Sequence, residues 1–304
     1  MISLVIPLYN EAAGVESLLD RCVGTLVSIK QEFEIICVDD GSTDQTLQTL
    51  KAYRRKDSRI KIAVLSRNFG HQAAYTAGLS LSRGDLIVMM DGDLQDPPEL
   101  IAGMLSIMVE KQSDVVYGKR LGQSEKWLKR WVVNVFHKTF RQFSQLPGAD
   151  HVGNFSMFNR NVLNALLQMT EKHRYIPGMR FFIGFKQDSI EYHRNARGMG
   201  HSKMPLLKLI KLALDAIFSF SDIPIKICLY IGLAGVLISL GGIVYSLISK
   251  ITGIAPFGWS SLMMSIFLWG SIQLLFLGIL GEYIFRIYKE IQNRPLYLIR
   301  EIVE

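Results

Sequence analysis

The residues best suited to chemistry are two carboxylates two positions apart, in Asp91-Gly92-Asp93-Leu94-Gln95-Asp96. Neighbouring carboxylates repel each other, and a divalent cation relieves that repulsion. Mg²⁺ favours a few carboxylates plus the phosphate oxygens of a substrate over an all-protein cage. The pair therefore points to Mg²⁺- or Mn²⁺-assisted chemistry on a phosphorylated compound. On an extended backbone, Asp91 and Asp93 would point to one side. Alone, such a pair is more often a solvated turn. Three further polar clusters shift the balance, each following a short apolar run: Pro7-Leu8-Tyr9-Asn10-Glu11, Asp39-Asp40-Gly41-Ser42 and Ser66-Arg67-Asn68. No GxGxxG follows the first run, which counts against a dinucleotide oxidoreductase, and no GxxxxGK[ST] occurs, which excludes P-loop chemistry. Gly41 and Gly70 read as tight-turn residues.

The elements that must position these clusters alternate. Ile2–Pro7, Phe33–Val38, Lys61–Leu65, Asp85–Met90 and Asp114–Tyr117 read as strands, rich in Val and Ile. Helices are expected at about 13–29, 44–56, 71–82 and 97–111. Gly-Ser-Thr-Asp (41–44) suits the start of the second, and Pro97-Pro98-Glu99 the first turn of the fourth. This alternation predicts an α/β fold, a mostly parallel sheet with helices on both faces. Ligands of such sheets bind beyond the carboxyl ends of the strands, so four strand ends would bring the four clusters to one crevice.

Of the 304 residues, 49% are hydrophobic, and the excess collects after residue 224. A catalytic domain over 1–203 is expected, then an amphipathic interface helix over 204–222 that carries Lys208, Lys211 and Asp215. Ile227–Ser249 and Ile254–Gly281 contain no charged residue, and each is long enough for a hydrocarbon core. They predict a transmembrane hairpin over 223–286, with spans at about 226–249 and 260–283 and a cytoplasmic tail over 287–304. Buried soluble helices can mimic one such run, but not two in tandem with this charge pattern. Lys203, Lys208, Lys211 and Lys226 precede the first span, and Arg286, Lys289, Arg294 and Arg300 follow or end the second. The connecting loop holds only Lys250, which places both termini in the cytoplasm of a multi-pass protein of the plasma (bacterial inner) membrane. The net charge of +7 then suits lipid headgroups and phosphorylated substrates rather than nucleic acid. Cys22, Cys37 and Cys228 form neither a disulfide framework nor a zinc pattern. The six histidines show no metal-ligand spacing.

Val5–Glu11 (VIPLYNE), Val38–Asp44 (VDDGSTD), Ser66–Leu79 (SRNFGHQAAYTAGL) and Asp91–Glu99 (DGDLQDPPE) together resemble the inverting nucleotide-sugar transferases of glycosyltransferase family 2, with a GT-A fold. Gly281–Tyr297 (GEYIFRIYKEIQNRPLY) is similar to the polyprenyl-phosphate branch, which includes dolichyl-phosphate mannose synthases and bactoprenol glucosyltransferases. The resemblance implies inverting transfer of a single sugar from a nucleotide-sugar, a UDP-sugar, to undecaprenyl phosphate, for cell-envelope glycan or lipid modification. It implies that Pro7, Tyr9 and Glu11 line the nucleobase and ribose pocket and that Asp40 reads the nucleoside. Asp91 would contact the donor, while Asp93 and Gln95 would hold the metal. Arg120 and Arg130 would bind the acceptor phosphate. Arg197, with Ser202 and Lys203, would belong to a loop that closes over the donor phosphates. Asp91, Asp93 and Arg120 would thus carry the catalysis.

The sequence departs from relatives at Gly153-Asn154-Phe155-Ser156-Met157-Phe158, where they carry Gly-Asp-Phe-Arg-Leu-Met, and at Phe285, which replaces a small residue. Asn154 cannot take a proton. A phosphate monoester, with a second pKa of about 6, needs positioning more than deprotonation, so Asn154 is expected to orient a group. A processive polysaccharide synthase is the nearest rival, but Gln123-Ser-Glu-Lys-Trp127 only approaches the QxxRW such enzymes need. A non-catalytic membrane scaffold is the other. The sequence is compatible with a homo-oligomer and does not give one.

Overall fold

The fold is that of a computed structural model, in which residues 1–121, 152–172, 174–193, 230 and 258–304 are described. The apolar runs form strands β1 (Ile2–Leu8), β2 (Phe33–Asp39), β3 (Ile60–Leu65) and β4 (Leu86–Met89). Helices α1 (Val15–Ser28), α2 (Thr46–Lys56), α3 (His71–Leu81) and α4 (Leu100–Lys111) separate and follow them. Next come β5 (Val115–Leu121), β6 (Val152–Asn159), α5 (Arg160–Gln168), α6 (Ile176–Phe182) and β7 (Gln187–His193). The last described elements are α7 (Trp259–Ile291) and β8 (Ile299–Val303).

The strands make one sheet in the order β7-β5-β6-β4-β1-β2-β3-β8. The central ladders β4–β1, β1–β2 and β2–β3 are parallel, as is β5–β7. β6 runs antiparallel to β4 and β5, and β8 antiparallel to β3. Burial on both faces explains the unbroken apolar runs. Leu4 and Ile6 pack on one face with Leu18, Leu19, Cys22 and Met104 of α1 and α4. Val5 points the other way, into a layer with Ala74, Ala77, Val162 and Met179 of α3, α5 and α6.

Three expected helix starts differ. α1 begins at Val15, two residues inside the expected start. α2 begins at Thr46, two residues inside the expected start, because the Asp44 carboxylate accepts the Thr46 N–H and hydroxyl and so ends the turn there. α4 begins at Leu100, after the two prolines, because Leu100 N–H and Ile101 N–H bond back to the Pro97 and Pro98 carbonyls in a turn.

By its internal contacts the chain divides into two units. One comprises 1–133, 146–203 and 294–304, the other 134–145 and 204–293. In the second, α7 runs 33 residues, about 50 Å at 1.5 Å per residue. It continues past the expected boundary at 286 because no proline interrupts it before Pro295 and the chain turns left-handed only at Asn293, with φ 45°. Leu262, Ile266, Leu268, Leu277, Leu280, Ile284 and Ile287 along it are exposed. Among the described residues, no helix is long and apolar enough to cross a membrane. The expected interface helix at 204–222 and nearly all of the first expected span lie outside the described residues.

The expected tail over 287–304 contains structure that the sequence reading did not assign. β8 covers the β3 edge, with Ile62 opposite Val303 and Val64 opposite Glu301. Ser66 N–H donates to the Leu298 carbonyl, and Lys51 pairs with Glu301 at 2.8 Å.

α3 carries site residues at its N-terminal end, and its seat on the sheet depends on Gly78. A Cβ there would lie 2.4 Å from Val5 Cγ1 and 2.9 Å from Val38 Cγ2. Gly78→Ala is expected to destabilise the protein by about 1–3 kcal/mol through overpacking. Gly24→Ala, in α1 with nothing within 4 Å of its Cβ, should be neutral or stabilise by about 0.4–1 kcal/mol. Denaturant unfolding of both variants checks the contrast.

Candidate active site

Hydrogen bonds tie three of the four polar clusters together at the carboxyl end of the parallel strands, and close packing brings in the fourth. Asn10 N–H donates to Ser42 Oγ at 3.0 Å, and Thr43 N–H to Asn10 Oδ1 at 2.9 Å. Glu11 N–H reaches Thr46 Oγ1 at 2.9 Å. These bonds join the turn after β1 to the turn after β2. Asp40 joins the latter to the loop after β3, accepting from Phe69 N–H at 2.8 Å and Gly70 N–H at 3.0 Å. Gly41, with φ 69°, lets the backbone lie against Arg67, where a Cβ would meet Arg67 C at 2.6 Å. The turn after β4 closes the ring: a Cβ on Gly92 would lie 2.9 Å from the Pro7 carbonyl oxygen.

Asp91 sits at the centre. His71 Nε2 is 3.1 Å from its Oδ1, the Tyr75 hydroxyl donates to that oxygen at 2.7 Å, and Asn154 Nδ2 approaches it at 3.4 Å. Arg120 Nη2 lies 4.0 Å from Oδ2. Burial raises the pKa of a carboxylate, but the His71 contact, the Tyr75 hydroxyl and the Arg120 charge outweigh it and hold Asp91 down at about 2. Arg120 is itself fixed by Tyr192, whose hydroxyl accepts from Nε at 3.2 Å, and by Asp96 at 3.6 Å. The Tyr192 hydroxyl in turn donates to buried Asp96.

Asp91 and Asp93 do not share an extended strand. β4 ends at Met89, and the chain turns through 91–95, with Leu94 left-handed at φ 58°. Strand periodicity therefore does not set the direction of the two carboxylates, because both lie beyond the end of β4. The turn instead folds Gln95 N–H back onto Asp93 Oδ1 at 3.2 Å. A left-handed non-glycine residue costs on the order of 1–3 kcal/mol, and such residues cluster at ligand sites. The donor set of this turn, carboxylate and amide oxygens, fits a hard cation such as Mg²⁺ or Mn²⁺ that completes its shell on substrate phosphates.

Of the residues singled out in the sequence, the structure brings Asp91 and Arg120 together directly and places Asp93 and Gln95 in the adjoining turn. Pro7 is buried at the end of β1, Tyr9 is 45% exposed and Glu11 half-buried. Asp40 has a structural task, since backbone N–H groups engage both of its oxygens. Arg130, Arg197 and Lys203 lie outside the described residues, as do Ser202 and Gln123–Trp127. His71, Gln72, Tyr75, Asp96 and Tyr192 belong to the site and were not assigned from sequence. His71 and Tyr75 had a legible signal: they are four apart at the start of a helix that follows a strand end, so they share a face.

Gly153 allows the Arg120 guanidinium to lie against β6, because a Cβ there would be 2.8 Å from Nη2. Gly153→Ala should displace that flexible side chain while leaving the core intact. A misplacement of about 1 Å costs on the order of 10²-fold in rate, so turnover should fall steeply with an unchanged unfolding midpoint. Steady-state kinetics and denaturant titration check this.

The pattern of glycosyl transferase family 2 matches residues 3–167. An uncharacterized glycosyltransferase of Synechocystis sp. is 38% identical over 99% of this chain and 95% of its own. The prophage bactoprenol glucosyl transferase homolog of Escherichia coli is 35% identical over 99% of both chains. The undecaprenyl-phosphate 4-deoxy-4-formamido-L-arabinose transferase of Proteus mirabilis is 31% identical over 99% of this chain and 94% of its own. Among solved structures, glucosyl-3-phosphoglycerate synthase from Mycobacterium tuberculosis, in complex with Mn²⁺, UDP-glucose and phosphoglyceric acid, covers 72% of this chain and 77% of its own. Its TM-score is 0.53 at 20% identity, a likeness of fold. With an α/β sheet of this topology and a carboxylate turn at its carboxyl end, the chain belongs to glycosyl transferase family 2.

Proposed function

We propose that this glycosyltransferase moves a single sugar, with inversion, from a UDP-sugar to a polyprenyl phosphate such as undecaprenyl phosphate. The observation that carries the reading is the Arg120 guanidinium, only 17% exposed, 4.0 Å from Asp91. It puts a fixed cation beside an ionised carboxylate, at the place where a phosphate acceptor would meet a sugar donor. The full-length relatives named for bactoprenol and undecaprenyl-phosphate transfer support the acceptor class.

In this reading Asp91 binds and orients the donor sugar, and Arg120, with Arg130, holds the acceptor phosphate. Pro7, Tyr9, Glu11 and Asp40 surround the nucleoside, and Arg197 and Lys203 close over the diphosphate. Asp93 and Gln95 hold Mg²⁺ or Mn²⁺, which when bound screens charge on the donor diphosphate. A phosphate oxygen of the lipid attacks the anomeric carbon. The new carbon–oxygen bond forms as the bond to the nucleoside diphosphate breaks, and the electron pair leaves with that diphosphate. The attacking oxygen is already ionised near neutral pH, so the chain supplies position and charge complementarity. No side chain need remove a proton, which accords with Asn154 next to Asp91.

We further propose that 204–222 lies on the cytoplasmic face of the plasma membrane and that 223–286 inserts as a two-span hairpin, with both termini cytoplasmic. The uncharged stretches with basic outer flanks support this, as do the exposed apolar side chains along α7. Fusion of a cytoplasmic and a periplasmic reporter at residues 253 and 304 tests the topology.

The enzymatic reading is tested with detergent-purified protein, radiolabelled UDP-sugars, undecaprenyl phosphate and Mg²⁺ or Mn²⁺. One sugar per lipid is expected, and a long polymer would favour a processive synthase instead. Asp93→Ala should abolish transfer while the protein still purifies with the membrane fraction. Undiminished turnover would remove Asp93 from the metal's ligands.

A further inference from the structure

Three amides form a one-way chain of hydrogen bonds that ends on Asp91. The Ile176 N–H, at the start of α6, donates to Gln72 Oε1 at 3.1 Å. Gln72 Nε2 donates to Asn154 Oδ1 at 3.3 Å, and Asn154 Nδ2 reaches Asp91 Oδ1 at 3.4 Å. Side-chain amides of Asn and Gln can be placed either way round, and their partners decide which. Here both ends are fixed by chemistry. A backbone N–H can only donate, so it must face the oxygen of Gln72. An ionised carboxylate can only accept, so it must face the nitrogen of Asn154. Only one orientation of the two amides satisfies both ends.

We propose that Gln72 is a positioning residue for the transfer reaction: it fixes the Asn154 amide so that Asn154 presents N–H, never C=O, to Asp91 and the donor sugar. This inference rests on the reading of Asp91 as the residue that holds the donor. Gln72 acts through Asn154, and it links the site to the segment that enters α6. If the Gln72 donor is lost, Asn154 can turn its oxygen toward Asp91. Two acceptors then face each other and the carboxylate swings out of register.

Gln72→Glu isolates this donor. Glutamate keeps the shape of glutamine and still accepts from Ile176 N–H, but the ionised form cannot donate to Asn154. The protonated form can. A solvated Glu has a pKa of about 4.3, and the carboxylates of Asp91, Asp93 and Asp96 in this region raise it. The other charged or titratable groups around the chain are His71 and Tyr75 on α3, Arg120 and Tyr117 on β5, Tyr175 and Arg180 at α6, and Tyr192 on β7. All are common to the wild type and the variant, so the ratio of the two rates removes their contribution.

The experiment is kcat against pH from 5 to 8, under saturating UDP-sugar and undecaprenyl phosphate, for wild type, Gln72→Glu and Gln72→Met. The Gln72→Glu rate relative to wild type should fall about tenfold as pH rises through the range, with little change in donor KM. Gln72→Met should be depressed at every pH. A Gln72→Glu rate that stays parallel to wild type, or a Gln72→Met rate equal to it, would overturn the proposal. A second readout does not need turnover: the ¹⁵N side-chain amide signal of Asn154, assigned through Asn154→Ser. In Gln72→Glu this signal should shift with pH beyond any change in wild type, where only the groups common to both proteins titrate. If wild type transfers no sugar, the function proposed above fails, and the amide signal still decides the role of Gln72. An amide signal that moves identically in both proteins would count against it.

Discussion

A carboxylate held ionised with only 17% of its side chain exposed is the constraint around which this domain is organised. Removing a charge from water is expensive unless other groups replace the lost hydration. For Asp91 the replacements are His71 and Tyr75 from α3, Asn154 from β6 and Arg120 from β5. No single element could supply them. The three must meet at one point, and the packing behind them is correspondingly tight. Gly78 seats α3 on the sheet, Gly92 brings the turn after β4 against the end of β1, and Gly153 admits the Arg120 guanidinium. At each position a single methyl group would intrude on a neighbour.

The same logic extends outward from Asp91. Asp96 is fully buried, and Tyr192 and Arg120 share it. Asp40 is buried too, and its charge is met by the backbone N–H groups that lead into α3. The acidic clusters at the strand ends therefore do two jobs. Asp40 is engaged by backbone N–H groups and Asp96 by Tyr192 and Arg120, and so both help to build the scaffold, while Asp91 and the turn through Asp93 and Gln95 are the residues proposed for donor and metal. Their residue types alone do not separate the two groups.

Much of the central fold was legible because its strands are buried on both faces. Such strands read as unbroken Val and Ile runs, and their ends coincide with polar clusters. The helices between them were found within a few residues. The less legible parts depend on partners remote in sequence. β6 enters the sheet between β4 and β5 and runs antiparallel to both, which no local pattern announces. β8 looks like a tail in the sequence because Arg300 and Glu301 break its apolar run, and pairing with the β3 edge makes it a strand. In the site, Asp91 and Arg120 could be named from sequence. Gln72 could not, since its role lies in bonds to Asn154 and Ile176, 82 and 104 residues away.

β8 also imposes an order of events. An unpaired sheet edge invites association with other chains, and the edge of β3 has no cover until residues 299–303 have been made. The nascent polypeptide must therefore shelter that edge while more than half of its length, including all of α7, leaves the ribosome. Closing the sheet is a late stitch that joins distant parts of the chain, so an arrested or shortened product would present a sticky border that the finished protein conceals.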